Sequence, residues 1–76
     1  MNIARNPEHI AAGLSVPERA LLFCIASGVD WEQNPSVTRA TVAVAVLKGL
    51  VERDARGWLT LSGEGRAAVG VLFKGG

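Results

Sequence analysis

The residues that could carry out chemistry are few in this chain. The single His9 has no carboxylate or cysteine at a patterned spacing, and the single Cys24 lies inside the apolar run 22–25. Because a nucleophilic cysteine needs an exposed, electropositive setting, we interpret Cys24 as a small core residue and His9 as a partly exposed helix residue. One cysteine and one histidine provide no zinc ligand set, and we expect no metal site.

Two short patterns are similar to catalytic or cofactor motifs but lack the required context. Asp30 and Glu32 could form an acid/base pair, yet they adjoin a helix-cap pattern that favours solvated charges. Residues 63–68 match G-x-G-x-x-A, but a dinucleotide site also needs a βαβ unit of about 30 residues and an acidic residue about 20 residues later. Residues 63–68 have neither the βαβ unit nor the later acidic residue. We therefore predict a protein without cofactor or enzymatic activity.

Composition indicates one small globular domain over residues 1–76, since 49% of the residues are hydrophobic and 20% are charged. Residues 1–38 carry two basic and four acidic side chains, a net charge of −2. Residues 39–76 carry six basic and three acidic side chains, a net charge of +3, and the two sums return the formal +1 of the chain. This asymmetry is a weak indication of an anionic partner for the C-terminal half.

Hydropathy predicts neither a signal peptide nor a membrane span. The first residues lack an apolar stretch behind a basic start. The longest apolar runs, 20–26 and 42–47, are far shorter than the ~20 residues of a spanning helix. We therefore expect no membrane association, and the unpaired Cys24 suits the reducing cytoplasm.

The N-terminal half carries start and stop signals for two helices. A cap pattern before Pro7 predicts a short helix over residues 7–12. Ser15 and Glu18 have the spacing of a capping box and predict a second helix that ends at Gly28.

The C-terminal half predicts a third helix, a hairpin and a final helix. Pro35 limits residues 30–33 to about one helical turn, because the residue before proline avoids the helical region. A third helix should begin near Ser36 or Thr38 and run to Lys48. The remaining pattern predicts strands 50–53 and 58–61, a turn 54–57, a helix 63–73 capped by Ser62, and a fraying tail 74–76.

Three segments together resemble a known DNA-binding family. Residues 36–42 (SVTRATV) resemble the start of a recognition helix in bacterial winged-helix regulators, and residues 49–53 (GLVER) resemble the segment that leads into the wing. Residues 59–67 (LTLSGEGRA) resemble the segment that closes the wing in the MarR-like group. The resemblance covers residues 15–73, with 1–14 as an N-terminal extension. It implies a mainly α winged helix-turn-helix with a β-hairpin wing, in the order α-α-α-β-β-α.

This resemblance implies a small transcriptional regulator, bacterial or from a phage, that binds double-stranded DNA. The start of a recognition helix can bring polar side chains to base edges, and a basic hairpin can reach the adjacent backbone. The side chains expected to contact DNA are Ser36, Thr38, Arg39 and Thr41 on the helix, and Arg53, Arg56 and Trp58 on the hairpin, with Arg56 at the wing tip.

The position of Trp58 has two interpretations. Side chains alternate along a strand, so Trp58 points away from the core if Leu59 and Leu61 point towards it. Trp58 is then a contact residue. In the alternative, Trp58 covers part of the core, as is also expected of Trp31.

Two departures from the family pattern support a second hypothesis. Only residues 29–35 are available for the helix that normally precedes the recognition helix. The segment 42–47 is apolar on all sides, which is typical of a helix buried on several sides. A winged-helix protein-protein interaction module is therefore the alternative, for instance a phage-encoded, anti-CRISPR-like inhibitor of a host protein complex. The apolar last helix predicts either a homodimer or simple packing on the first helix.

Overall fold

The computed structural model describes residues 6–74, including the backbone but not the side chain of Lys74. Over this range the fold is mainly helical, with one two-stranded antiparallel hairpin, as predicted. The elements in chain order are α1 (Pro7–Ala12), α2 (Val16–Ser27), a 3₁₀ turn (Trp31–Gln33), α3 (Arg39–Leu47), β1 (Val51–Arg53), β2 (Leu59–Leu61) and α4 (Gly63–Lys74). The prediction of a fraying tail over residues 74–76 is wrong for Lys74, whose backbone is the last residue of α4, and its remaining residues 75–76 lie outside the described residues.

Local caps fix the boundaries of the first two helices. The Asn6 side chain accepts a hydrogen bond from the Glu8 amide at 2.8 Å, at the start of α1. The predicted capping box opens α2: the Ser15 amide donates to Glu18 Oε1 at 2.9 Å, and the Glu18 amide donates to Ser15 Oγ at 3.3 Å. Gly28 ends α2 with φ +73°, a left-handed conformation that glycine adopts without steric cost.

The connection between α2 and α3 is a single 3₁₀ turn, as the position of Pro35 predicted. Asp30 caps this turn by accepting from the Glu32 amide at 3.0 Å. Helix α3 begins at the later of the two predicted positions, with Thr38 as its N-cap. Lys48 forms the C-cap of α3, so the chain turns directly into the hairpin.

The core lies where α2 meets α3, α4 and the hairpin. Leu21, Leu22 and Leu50 are fully buried, and Cys24 is buried as predicted. Helix α1 packs against α4, as one of the two alternatives predicted, and the homodimer stays a prediction. The other buried apolar side chains are Ala11, Leu14, Val37, Val42, Ala45, Val51 and Ala68. Among the described residues, no helix has the length and apolarity needed to span a membrane.

A close backbone contact holds α4 against the end of the α3–β1 connection. Gly65 is buried, and a Cβ atom at this position would overlap the carbonyl oxygen of Leu50. Gly65 belongs to the G-x-G-x-x-A match of residues 63–68, and in the structure it provides this close contact between helix and connection. Gly70 lies in the same helix with nothing within 4 Å of a Cβ.

These two glycines form a matched pair for mutation. We expect Gly65→Ala to lower the free energy of unfolding by at least about 2 kcal/mol, because the Leu50 backbone must move. We expect Gly70→Ala to raise it by up to about 1 kcal/mol, because alanine favours the helix. Urea denaturation of both variants measures the two effects. Equal effects of the two substitutions would contradict the close contact.

A partly buried ion pair links the start of α2 to the end of α3. Glu18 is buried, and its Oε2 lies 2.8 Å from Nζ of Lys48, whose side chain is 40% exposed. Burial opposes ionisation of Glu18, but hydrogen bonds from Lys48 and Ser15 and the ammonium charge outweigh it and lower the pKa of the carboxyl group. The ionised form of Glu18 therefore stabilises the folded chain.

This pair predicts a loss of stability in acid. Because the folded-state pKa of Glu18 lies below the unfolded value of about 4.3, its contribution is full at neutral pH and disappears as pH falls through the folded pKa. We expect Glu18→Gln to lower the free energy of unfolding by about 1–2 kcal/mol at pH 7, and by much less near pH 3. Urea denaturation at both pH values tests this, with the exposed Glu8→Gln as control. A pH-independent difference would exclude the proposed linkage.

Candidate nucleic-acid interface

The start of α3 holds four of the residues predicted to contact DNA. Thr38 and Thr41 cap the helix reciprocally: each backbone amide donates to the other hydroxyl, at 3.3 and 3.2 Å, and the hydroxyl oxygens lie 3.1 Å apart. Thr38 is exposed, whereas Thr41 is half-buried in a groove beside Pro17 and Glu18. Both hydroxyls therefore have local partners, and only Thr38 is open to a ligand.

Ser36 and Arg39 are exposed on either side of Thr38. The Asn34 side chain accepts from the Ser36 amide at 2.9 Å, and buried Val37 anchors this segment in the core. Within residues 6–74, Arg39 forms no ion pair with a carboxylate. Its guanidinium group is therefore available at the start of α3.

The hairpin turn presents the second predicted group. Asp54 organises the turn, because its Oδ1 accepts from the amides of Arg56 and Trp58, both at 2.9 Å. Gly57 completes the turn with φ +85°. Arg56 lies exposed in this turn, and Arg53 is exposed at the end of β1, where its Nη1 donates to the Gly57 carbonyl at 3.3 Å.

Trp58 lies on the outer side of the hairpin. Its side chain is 67% exposed, whereas Leu59 and Leu61 are half-buried and pack against the core. The alternative that Trp58 covers the core is therefore wrong. Trp31 does pack against the core while remaining partly exposed, as expected.

A wide cleft of about 640 Å³ joins the hairpin to the α2–α3 connection, and we call it the hairpin cleft. It brings together Arg53, Arg56 and Trp58 of the predicted site, but not the residues at the start of α3. Sequence reasoning missed the other side of the cleft, because no spacing in the sequence indicates that Trp31 and Trp58, the two tryptophans of the chain, both line it. Its lining residues are Ile25, Gly28, Val29, Asp30, Trp31, Glu32, Arg53, Arg56, Gly57, Trp58 and Leu59.

Beyond Arg39, the outer face of α3 is apolar. Val42 and Ala45 are buried, but Leu47 is 86% exposed, and Val44 and Val46 are each 39% exposed. The expectation that this helix is buried on several sides is therefore wrong for the single chain. Ala40, Ala43, Val44 and Leu47 share one side of the helix, which we call the α3 face, whereas Val46 lies nearly opposite Val44.

Comparison with known proteins adds no assignment, since no family model, curated protein or solved structure matches the chain. Among the described residues, no group of three His, Cys, Asp or Glu side chains is placed to hold a metal ion. The chemistry of this interface therefore comes from arginine, hydroxyl and indole groups.

Proposed function

We propose that this chain is a winged-helix protein that binds double-stranded DNA and acts as a small transcriptional regulator in the cytoplasm of a bacterium, encoded by the bacterium or by a phage. The observation that carries the proposal is the set of exposed arginines Arg39, Arg53 and Arg56. None of them pairs with a carboxylate among residues 6–74. Unpaired, exposed guanidinium groups are the groups that bind phosphate most effectively.

The hairpin supplies the contacts to the DNA backbone. Arg56 lies in the turn, and Arg53 lies at the end of β1. One of the five N–H donors of Arg53 is directed to the Gly57 carbonyl. Arginines at these positions can neutralise phosphates beside the groove and so position the domain without reading the sequence. Binding should then weaken steeply with salt, because each neutralised phosphate releases counterions.

The start of α3 supplies the contacts to base edges. Arg39 is long enough to reach a guanine edge, with Ser36 and Thr38 exposed beside it. The α3 face that follows is apolar and offers no hydrogen-bond donors to a groove. We therefore infer a short recognised sequence and modest discrimination among duplexes.

Substitution of the arginines tests this proposal. We expect Arg53→Ala and Arg56→Ala each to weaken binding to all duplexes and to reduce the slope of log K against log salt by about 1. We expect Arg39→Ala to cost about 1–3 kcal/mol on the preferred duplex and less on others. Fluorescence anisotropy with labelled duplexes at several salt concentrations measures both. Arg66→Ala on α4 is the control, and a wild-type chain that binds no duplex at low salt would refute the proposal.

The α3 face favours a second candidate function, a protein-protein interaction module such as a phage-encoded inhibitor of a host complex. Leu47 and Val44 together with Ala40 and Ala43 leave an apolar surface on a short helix. Contiguous exposed apolar surface is typical of protein interfaces. This candidate needs no contact from the hairpin arginines.

Leu47→Ser separates the second candidate from the first. Because Leu47 is 86% exposed, we expect its substitution to change the free energy of unfolding by no more than about 0.5 kcal/mol. If the α3 face binds a protein, capture from nuclease-treated bacterial lysate recovers the same partner with wild type and with Val16→Ser, but not with Leu47→Ser. Val16 is the control because it is also an exposed apolar residue at a helix end, at 72%. Capture that nuclease treatment abolishes would favour DNA binding instead.

A further inference from the structure

The hairpin cleft is a half-open groove whose volume is large enough for a small molecule. Its volume of about 640 Å³ lies within the ~300–1,000 Å³ typical of ligand clefts. Apolar Ile25, Val29 and Leu59 line it together with a few polar groups. Such a lining buries a flat ligand and orients it by a small number of hydrogen bonds.

The two walls of the cleft carry opposite charge. Arg53 and Arg56 line the hairpin wall, and Asp30 and Glu32 line the wall formed by the α2–α3 connection. In the described part of the chain no ion pair joins the two walls. Asp30 uses Oδ1 for the Glu32 amide, which leaves its second oxygen and both Glu32 oxygens as acceptors. The cleft therefore offers cationic donors on one wall and anionic acceptors on the other.

Each wall also carries an indole ring, because Trp31 and Trp58 both line the cleft. Trp58 is 67% exposed, so much of its surface is open to a planar ligand. Aromatic side chains beside arginine bind nucleotides by stacking on the base while the guanidinium group takes the phosphate. This combination is specific to the cleft and does not involve the start of α3.

We propose that the hairpin cleft binds a nucleotide unit with a guanine base. The phosphate contacts Arg53 and Arg56, and the base stacks on Trp58. The adjacent N1–H and N2–H donors of guanine face the carboxylates of Asp30 and Glu32. Adenine presents an acceptor at N1, which a carboxylate cannot satisfy, so the acidic wall favours guanine. The unit is either a free nucleotide or an unpaired guanosine in a strand, and its binding goes beyond the proposed contact with duplex DNA.

The two indole N–H signals in a ¹H–¹⁵N NMR spectrum report on binding directly. We expect guanosine 5′-monophosphate to shift both signals, and adenosine 5′-monophosphate to bind at least about tenfold more weakly, the factor that ~1.4 kcal/mol represents. Inorganic phosphate alone should leave the Trp31 signal unmoved. A DNA hairpin with one unpaired 3′ guanosine, compared with its blunt form, distinguishes a strand from a free nucleotide as the source.

Variants separate this proposal from duplex binding. The double variant Asp30→Asn, Glu32→Gln keeps the cap oxygen of residue 30 and removes the negative charge of the wall, so we expect the preference for guanine over adenine to fall at least about fivefold. Arg39→Ala should weaken duplex binding and leave nucleotide binding unchanged. Glu8→Gln is the charge control.

Several outcomes would overturn the nucleotide site while leaving the duplex proposal intact. The first is that neither the free nucleotide nor the unpaired guanosine shifts the indole signals. The second is that guanosine and adenosine 5′-monophosphate bind with equal affinity. The third is that the double variant keeps the full preference for guanine. The fourth is that the indole signals move with protein concentration alone, which would make the cleft a contact between two copies of the chain.

Discussion

The position of the hairpin depends on the junction where the end of the α3–β1 connection meets the start of α4. The Ser62 amide donates to the Leu50 carbonyl at 3.0 Å, and the Ser62 hydroxyl donates to the Gly49 carbonyl. The same hydroxyl accepts from the Gly65 amide at 3.0 Å, so one side chain caps α4 and closes the hairpin. With Leu50 fully buried, the junction ties both strand ends to the core.

This junction matters because the hairpin is too short to hold itself. Each strand has three residues, and an isolated two-stranded hairpin is marginal in water. The base of the hairpin is tied to the core by the hydrogen bond between Ser62 and Leu50. The turn at its tip is ordered by the hydrogen bonds that the Asp54 side chain accepts. Arg53, Arg56 and Trp58 are therefore displayed, exposed, from a hairpin whose base is tied to the core and whose turn is internally hydrogen-bonded.

Features that depend on neighbours along the chain could be predicted from the sequence. The caps at Ser15 and Thr38 and the stop at Gly28 are local signals, and they give element boundaries close to those of the structure. The outward position of Trp58 followed from strand alternation once Leu59 and Leu61 faced the core. The ion pair of Glu18 with Lys48 joins residues from two helices, and no spacing in the sequence indicates it. The two walls of the hairpin cleft are likewise about twenty residues apart and meet only after folding.

The proposed DNA contact and the proposed protein contact use different side chains of α3. Arg39 and Leu47 are eight residues apart, which separates them by about 12 Å along the helix axis. The buried side chains Val42 and Ala45 hold the middle of the helix against the core. A duplex that lies over the start of α3 and the hairpin contacts Arg39, whereas an apolar partner contacts Leu47. The DNA proposal therefore depends on Arg39 at the start of the helix, and the protein proposal depends on the apolar side chains that follow it, with Leu47 as the most exposed.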